Sequence, residues 1–187
     1  MTDYACRVKE TARKLMDMLS SLQENRGAMA DLRCAWSQTR RSRAWPLLGR
    51  VGLIGDRAGE TVAGAFGYHP LTEDQGNFGT ACKKLLQEHA GAEQRFARLL
   101  DADRDDLCDL VRPLILAMRS AEVGLNYQQL YIDLNFWGES TRVAWAKEFW
   151  TSGAEEGAEE GTEAALEAQP AAEQQKGAQD VSNGRQD

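Results

Sequence analysis

The sequence predicts an all-α protein: a compact helical bundle of six to nine helices with N- and C-terminal helical parts, followed by a disordered acidic C-terminal tail. Three observations carry that expectation. Apolar residues recur at helical spacing through the first 150 residues, no stretch there alternates with period two, and the excess of acid lies entirely beyond residue 150.

Leu15, Met18, Leu19 and Leu22 form the first stripe, one face of a helix near the start of the chain. The glycine-rich stretch Gly49–Gly67 and the segment His69–Gly79 read as the loosest parts of the body. They put a division near residues 70–80, between helical parts spanning 1–75 and 76–150. Leu85, His89, Ala92, Phe96 and Leu99 make the next stripe, and Leu107, Leu110, Leu114 and Met118 the one after it. Asp101, Asp103, Asp105 and Asp106 precede that third stripe, where acids favour a helix start through capping and the macrodipole. Pro113 lies too deep in the same helix to be its first residue, which predicts a kink or a break. Tyr127, Leu130, Leu134 and Trp137 form a fourth stripe. After Trp150 the composition turns to Ala, Glu, Gln and Gly without an aromatic residue, too polar to bury a core, so residues 151–187 read as disordered.

Charge divides along the same line. Residues 1–150 carry 20 Lys/Arg and 20 Asp/Glu, whereas residues 151–187 carry two bases against nine acids, which accounts for the whole net charge of −7. The neutral body concentrates its arginines in two stretches. Arg33, Arg40, Arg41, Arg43, Arg50 and Arg57 make one, and Arg95, Arg98, Arg104, Arg112 and Arg119 the other. Such segments can present a phosphate-binding face on a domain with no net charge, and they are equally the solvated helix faces of an ordinary bundle.

Several chemistries are excluded by spacing. The run Leu114–Met118 is far short of the roughly 20 apolar residues of a spanning helix, and Met1–Arg7 offers no signal-like apolar stretch, so a cytoplasmic protein with no membrane role is expected. Cys6, Cys34, Cys82 and Cys108 stand far apart with no Cys-x-x-Cys pair, which argues against a metal or redox motif and leaves them as small buried hydrophobes. Asp101-x-Asp103-x-Asp105 begins like a calcium loop, but Asp106 stands where glycine is needed and Arg112 where a bidentate glutamate belongs. Gly49-x-x-Gly52-x-x-Gly55 lacks the Gly-Lys-Ser/Thr ending of a phosphate loop. The two histidines, His69 before a proline and His89 on an apolar stripe, read as structural. No catalytic residue, metal or cofactor is expected.

The second half of the body carries a more specific pattern. Glu93-x-Arg95-Phe96-x-x-Leu99-Leu100-x-Ala102-x-Arg104-x-x-Leu107 is followed by Leu110-x-Arg112-x-Leu114, by Asn126-Tyr127-x-x-Leu130-x-x-Asp133-Leu134-x-x-Trp137, and by Arg142-x-x-Trp145-Ala146-x-x-Phe149. Together these resemble the small subunit of the type I-E CRISPR Cascade complex, the CasB family. In the first half, Leu32-Arg33-Cys34-Ala35 looks like that family's Leu-Arg-Arg-Ala segment with the second arginine replaced. Val62–Pro70 is similar to its apolar stretch ending in His-Pro. The resemblance covers nearly all of residues 25–150.

The resemblance implies a non-enzymatic, all-helical subunit. Its copies associate with one another, contact the Cascade large subunit and the repeated backbone subunits, and help to hold crRNA paired with target DNA and the displaced single strand. Exchanging a DNA duplex for a guide–target hybrid is nearly balanced in free energy, so sequence-blind contacts can tip it. Arginine suits the task because its fork grips phosphate without reading a base. Arg33, Arg50, Lys83, Arg95, Arg104, Arg112 and Arg142 match basic positions of the family pattern, and Lys84, Arg98 and Arg119 are basic neighbours. Arg95 and Arg98 could instead pair with Asp101 or Glu93, and Arg104 could cap a helix. Trp137, Trp145 and Phe149, at helical spacing, read as core rather than stacking platforms. The alternative is a helical protein–protein adaptor that binds no nucleic acid.

Overall fold

Asn25, Asp56, Asn77 and Asn126 each cap a helix with a side-chain oxygen, accepting from Ala28, Gly59, Gly79 and Thr80, and Gln129 respectively, and these caps set much of the chain's punctuation. The computed structural model describes residues 2–151; the sequence beyond, including nearly all of the expected disordered tail, lies outside the described residues. Those residues fold as one compact unit of α-helices and short 3-10 turns, with a single isolated bridge pairing Thr72 and Leu125.

Helix α1 (Thr2–Leu22) buries Val8, Ala12, Leu15, Leu19 and Leu22 on one face and lays it against α8. Helix α2 (Arg26–Arg33) continues through 3-10 turns at Cys34–Trp36 and Arg41–Arg43 into the short α3 (Trp45–Leu48), which has a proline in its first turn. Helix α4 (Arg57–Tyr68) is the centre of the molecule: every residue from Ala58 to Gly67 is buried, against α2, α7 and α8.

That burial corrects the expectation of a loose Gly49–Gly67 segment over its second part, Ala58–Gly67, whereas Gly52 and Gly55 before it are exposed turn glycines at positive φ. The glycines of α4 are places of close approach. A Cβ on Gly64 would strike the Trp36 ring, and one on Gly67 would meet the backbone nitrogen of Arg33 at 2.8 Å. The segment after α4 is likewise tied down. Leu125 donates its N–H to Leu71 O at 3.1 Å, Glu73 donates to Leu125 O at 3.1 Å, and Asn126 Nδ2 donates to Asp74 O at 3.0 Å. His69 is buried with Nε2 2.7 Å from Val123 O, and the Tyr127 hydroxyl donates to His69 O. Burial holds the His69 imidazole below its ordinary pKa, as befits a structural histidine.

The second half comprises α5 (Phe78–Glu88), α6 (Ala92–Leu100), α7 (Arg104–Ser120), α8 (Tyr127–Asn135) and α9 (Glu139–Trp150). The stripe through His89 is two helices: α5 ends at Glu88, His89 is exposed at its C-terminus, and α6 starts at Ala92. Asp105 and Asp106 occupy the first turn of α7 as expected, and α7 runs through Pro113 without a break. Phe78 and Trp145 pack at 5.0 Å, Trp137 and Trp145 at 5.0 Å, and Phe96 and Phe149 at 4.2 Å, so the aromatic residues Trp145 and Phe149 of α9 are core. Asp133 joins α8 to α9 beneath them, accepting from Trp145 Nε1 at 2.6 Å and Gln129 Nε2 at 2.7 Å. Burial raises its carboxyl pKa. Cys82 and Cys108 are buried, with thiol pKa values pushed up by desolvation. Cys6 is exposed and Cys34 half-buried, so the reading of all four as buried hydrophobes holds for only two. Among the described residues no helix is long and apolar enough to cross a membrane.

Candidate nucleic-acid interface

The ten basic residues selected from the sequence divide by what their side chains touch. Arg50, in the 3-10 turn Gly49–Val51, Arg95 and Arg98 on α6, and Arg119 near the end of α7 are exposed. Among the described residues no carboxylate lies within 4.0 Å of them. Arg95 and Arg98 therefore do not pair with Glu93 or Asp101. These four present guanidiniums to solvent, the form in which arginine meets phosphate.

The other six are engaged by the fold. Arg33 donates through Nε to Gly67 O at 2.7 Å, joining α2 to the C-terminal end of α4. Arg104 donates to Asn135 O at 2.7 Å, closing the last turn of α8 rather than capping its own helix. Arg142 donates to Ala102 O at 2.8 Å, an oxygen that also accepts from Trp137 Nε1 at 3.1 Å, and its guanidinium lies 5.4 Å from the Trp137 ring. Lys84 pairs with Glu73 at 2.8 Å, and Lys83 reaches Thr151 O at the end of α9. Arg112 pairs with Asp109 at 2.9 Å and lies 5.6 Å from the Trp36 ring. The Nε atoms of Arg112 and Arg142 are buried without a hydrogen-bond partner, which marks both residues as partly structural.

Arg112 stands in company that the sequence did not single out. A cleft of about 580 Å³ opens between the 3-10 turns, the start of α4 and the middle of α7, with Trp36, Arg41, Arg57, Glu60, Asp109 and Arg112 on its walls. Local structure explains each placement. The Asp56 cap starts α4 so that Arg57 is its first residue, and the Trp36 indole donates to Thr61 O at 2.8 Å while stacking on Tyr68 at 5.1 Å. Trp45 Nε1 donates to Glu60 at 3.1 Å, with Arg41 3.9 Å from the same carboxylate. Asp109 bridges two guanidiniums, Arg57 at 3.0 Å through Oδ2 and Arg112 at 2.9 Å through Oδ1. Arg112 and Arg119 are seven residues apart on α7 and so share one stripe of that helix. The convergence of Arg41, Arg57 and Arg112 from three elements was invisible in one dimension; the dense arginine run from Arg33 to Arg57 was the only signal of it.

Among the described residues no group of three His, Cys, Asp or Glu side chains is placed to hold a metal ion. Fold and surface thus define a class: an all-α protein whose exposed chemistry is guanidinium set among carboxylates on helix faces. Within that class the chain belongs to the Cse2 family, for the family model "CRISPR-associated protein Cse2" matches residues 28–150. Solved structures agree. The Cse2-family protein of Thermus thermophilus is 25% identical with a TM-score of 0.63, over 74% of this chain and 97% of that one. A chain of a CRISPR RNA-guided surveillance complex is 21% identical with a TM-score of 0.65, over 76% of this chain and 92% of that one. The M. ruber CasB is 20% identical with a TM-score of 0.59, over 75% of this chain and 92% of that one. A search of curated proteins finds no match.

Proposed function

We propose that this chain is a non-catalytic small subunit of an RNA-guided type I-E Cascade complex, acting in the cytoplasm in antiviral defence. It binds nucleic-acid backbone without sequence preference and stabilises the crRNA–target hybrid and the displaced strand. The family match over residues 28–150 carries this reading, and the exposed guanidiniums of Arg50, Arg95, Arg98 and Arg119 supply its chemistry. Other copies of the chain, the large subunit and the backbone subunits are its protein partners, and crRNA and target DNA its nucleic-acid partners. Because R-loop formation is near balance, a few phosphate contacts outside the base pairs decide how long the open state lasts. Reconstitution of the complex with and without this chain tests the proposal. A variant with Arg95, Arg98 and Arg119 changed to Glu should assemble normally yet release its target faster. R-loop lifetimes equal to wild type in both the depleted and the variant complex would overturn it.

A further inference from the structure

We propose that the cleft between the 3-10 turns, α4 and α7 is a phosphodiester site that the free protein keeps masked, with Asp109 standing where a backbone phosphate of a nucleic-acid strand will sit. The proposal rests on the nucleic-acid reading above and adds where one phosphate goes and what holds the place open.

Geometry sets the two carboxylates apart. Asp109 spends one oxygen on Arg57 and the other on Arg112, at 3.0 and 2.9 Å. That is the arrangement by which two non-bridging phosphate oxygens would engage the same pair of forks. The Asp109 side chain is 57% exposed and its Arg57 partner 51%, so this bridge is solvated and cheap to open. Glu60 differs. Its side chain is 9% exposed and fixed by the Trp45 indole, and it stays to hold Arg41 on the wall. With Asp109 in place the cleft holds three arginines against two acids; once it swings out, three arginines face one. Arg112 cannot follow Asp109 outward, being only 27% exposed and held against Trp36. An incoming phosphate therefore meets a positioned guanidinium pair and has only a surface carboxylate to displace. The aspartate keeps the arginines ordered and weakens binding of stray anions until a strand presents its phosphates at high local concentration.

The test is binding of labelled oligothymidylate to the full chain at low salt, by fluorescence anisotropy. Asp109→Asn should tighten binding about two- to fivefold, the scale of one exposed ion pair. Arg57→Ala and Arg41→Ala should each weaken it, and Arg57→Ala should reduce the slope of log K against log salt by about 0.7, one single-strand phosphate contact. Asp105→Asn removes the same charge one helical turn earlier on α7, outside the cleft, and should change affinity less than Asp109→Asn does. Circular-dichroism melting confirms that each variant is folded. Equal gains from the Asp105 and Asp109 substitutions would reduce the effect to net charge and overturn the masking. Wild-type binding that none of the cleft variants alters would overturn the site while leaving the nucleic-acid reading intact. A wild-type chain with no salt-dependent binding would instead remove that reading.

Discussion

Replacing Gly64 by alanine tests the packing that builds both the central helix and the cleft wall. Three ring atoms of Trp36 would lie less than 3.0 Å from the new Cβ, so the indole must move. It has little room: Nε1 is bonded to Thr61 O at 2.8 Å, Tyr68 stacks at 5.1 Å and the Arg112 guanidinium lies 5.6 Å from the ring. Alanine gains about 1 kcal/mol of helix propensity over glycine. Against that stand about 1–3 kcal/mol for overpacking and about 1–3 kcal/mol for leaving the indole N–H and its carbonyl unpaired. The net expectation is a loss of about 1–5 kcal/mol, a fall of about 2–20 °C in Tm for a domain of this size. Thermal unfolding followed by circular dichroism measures it. Gly27→Ala, on the exposed face of α2 with only an ordinary contact to Asn25, is the control and should melt at or slightly above wild type. A Gly64→Ala protein that melts no lower than wild type would refute the claim that Trp36 is pinned against α4.

Further expectations concern the buried carboxylate and the structural arginines. Asp133→Ala strips the acceptor from the fully buried Trp145 indole and should cost about 1.5–3 kcal/mol in urea unfolding. Because burial raises the Asp133 carboxyl pKa in the folded state, that state holds its proton more tightly than the unfolded chain. Wild-type stability relative to Asp133→Asn should accordingly fall as pH rises from about 4 through that raised pKa, and urea midpoints at several pH values will show it. Arg142→Glu breaks the bond to Ala102 O and should cost about 1–3 kcal/mol, whereas Arg95→Glu should stay within about 0.5 kcal/mol of wild type in the same assay.

Helix class and core were legible because they are local. The stripe Leu15–Leu22, the acids opening α7 and the aromatic residues of α9 all stand where periodicity and the helix macrodipole put them, although Asp103, at the N-cap of α7, makes no side-chain capping bond. Glycine was misread because composition cannot tell a flexible link from a close approach: Gly64 and Gly67 serve the neighbours Trp36 and Arg33, 28 and 34 residues away in sequence. His89 misled because a stripe carried across a short turn keeps its apparent period. Arginine was half legible. Sequence placed Arg95, Arg98 and Arg119 on surface faces, but that Arg104 and Arg142 are spent on backbone carbonyls of remote turns depends on tertiary contacts over 31 and 40 residues. The Arg57–Asp109–Arg112 bridge, which brings α4 onto α7, was hidden for the same reason.

The salt dependence of nucleic-acid binding by the wild-type chain tests the central claim most directly. Titrating oligothymidylate and a mixed-sequence single strand at a series of salt concentrations gives log K against log salt for each. Backbone binding through about four to six phosphates predicts equal affinities for the two strands and slopes on the order of −3 to −4. A salt-independent affinity, or a strong preference for one sequence, would contradict the account.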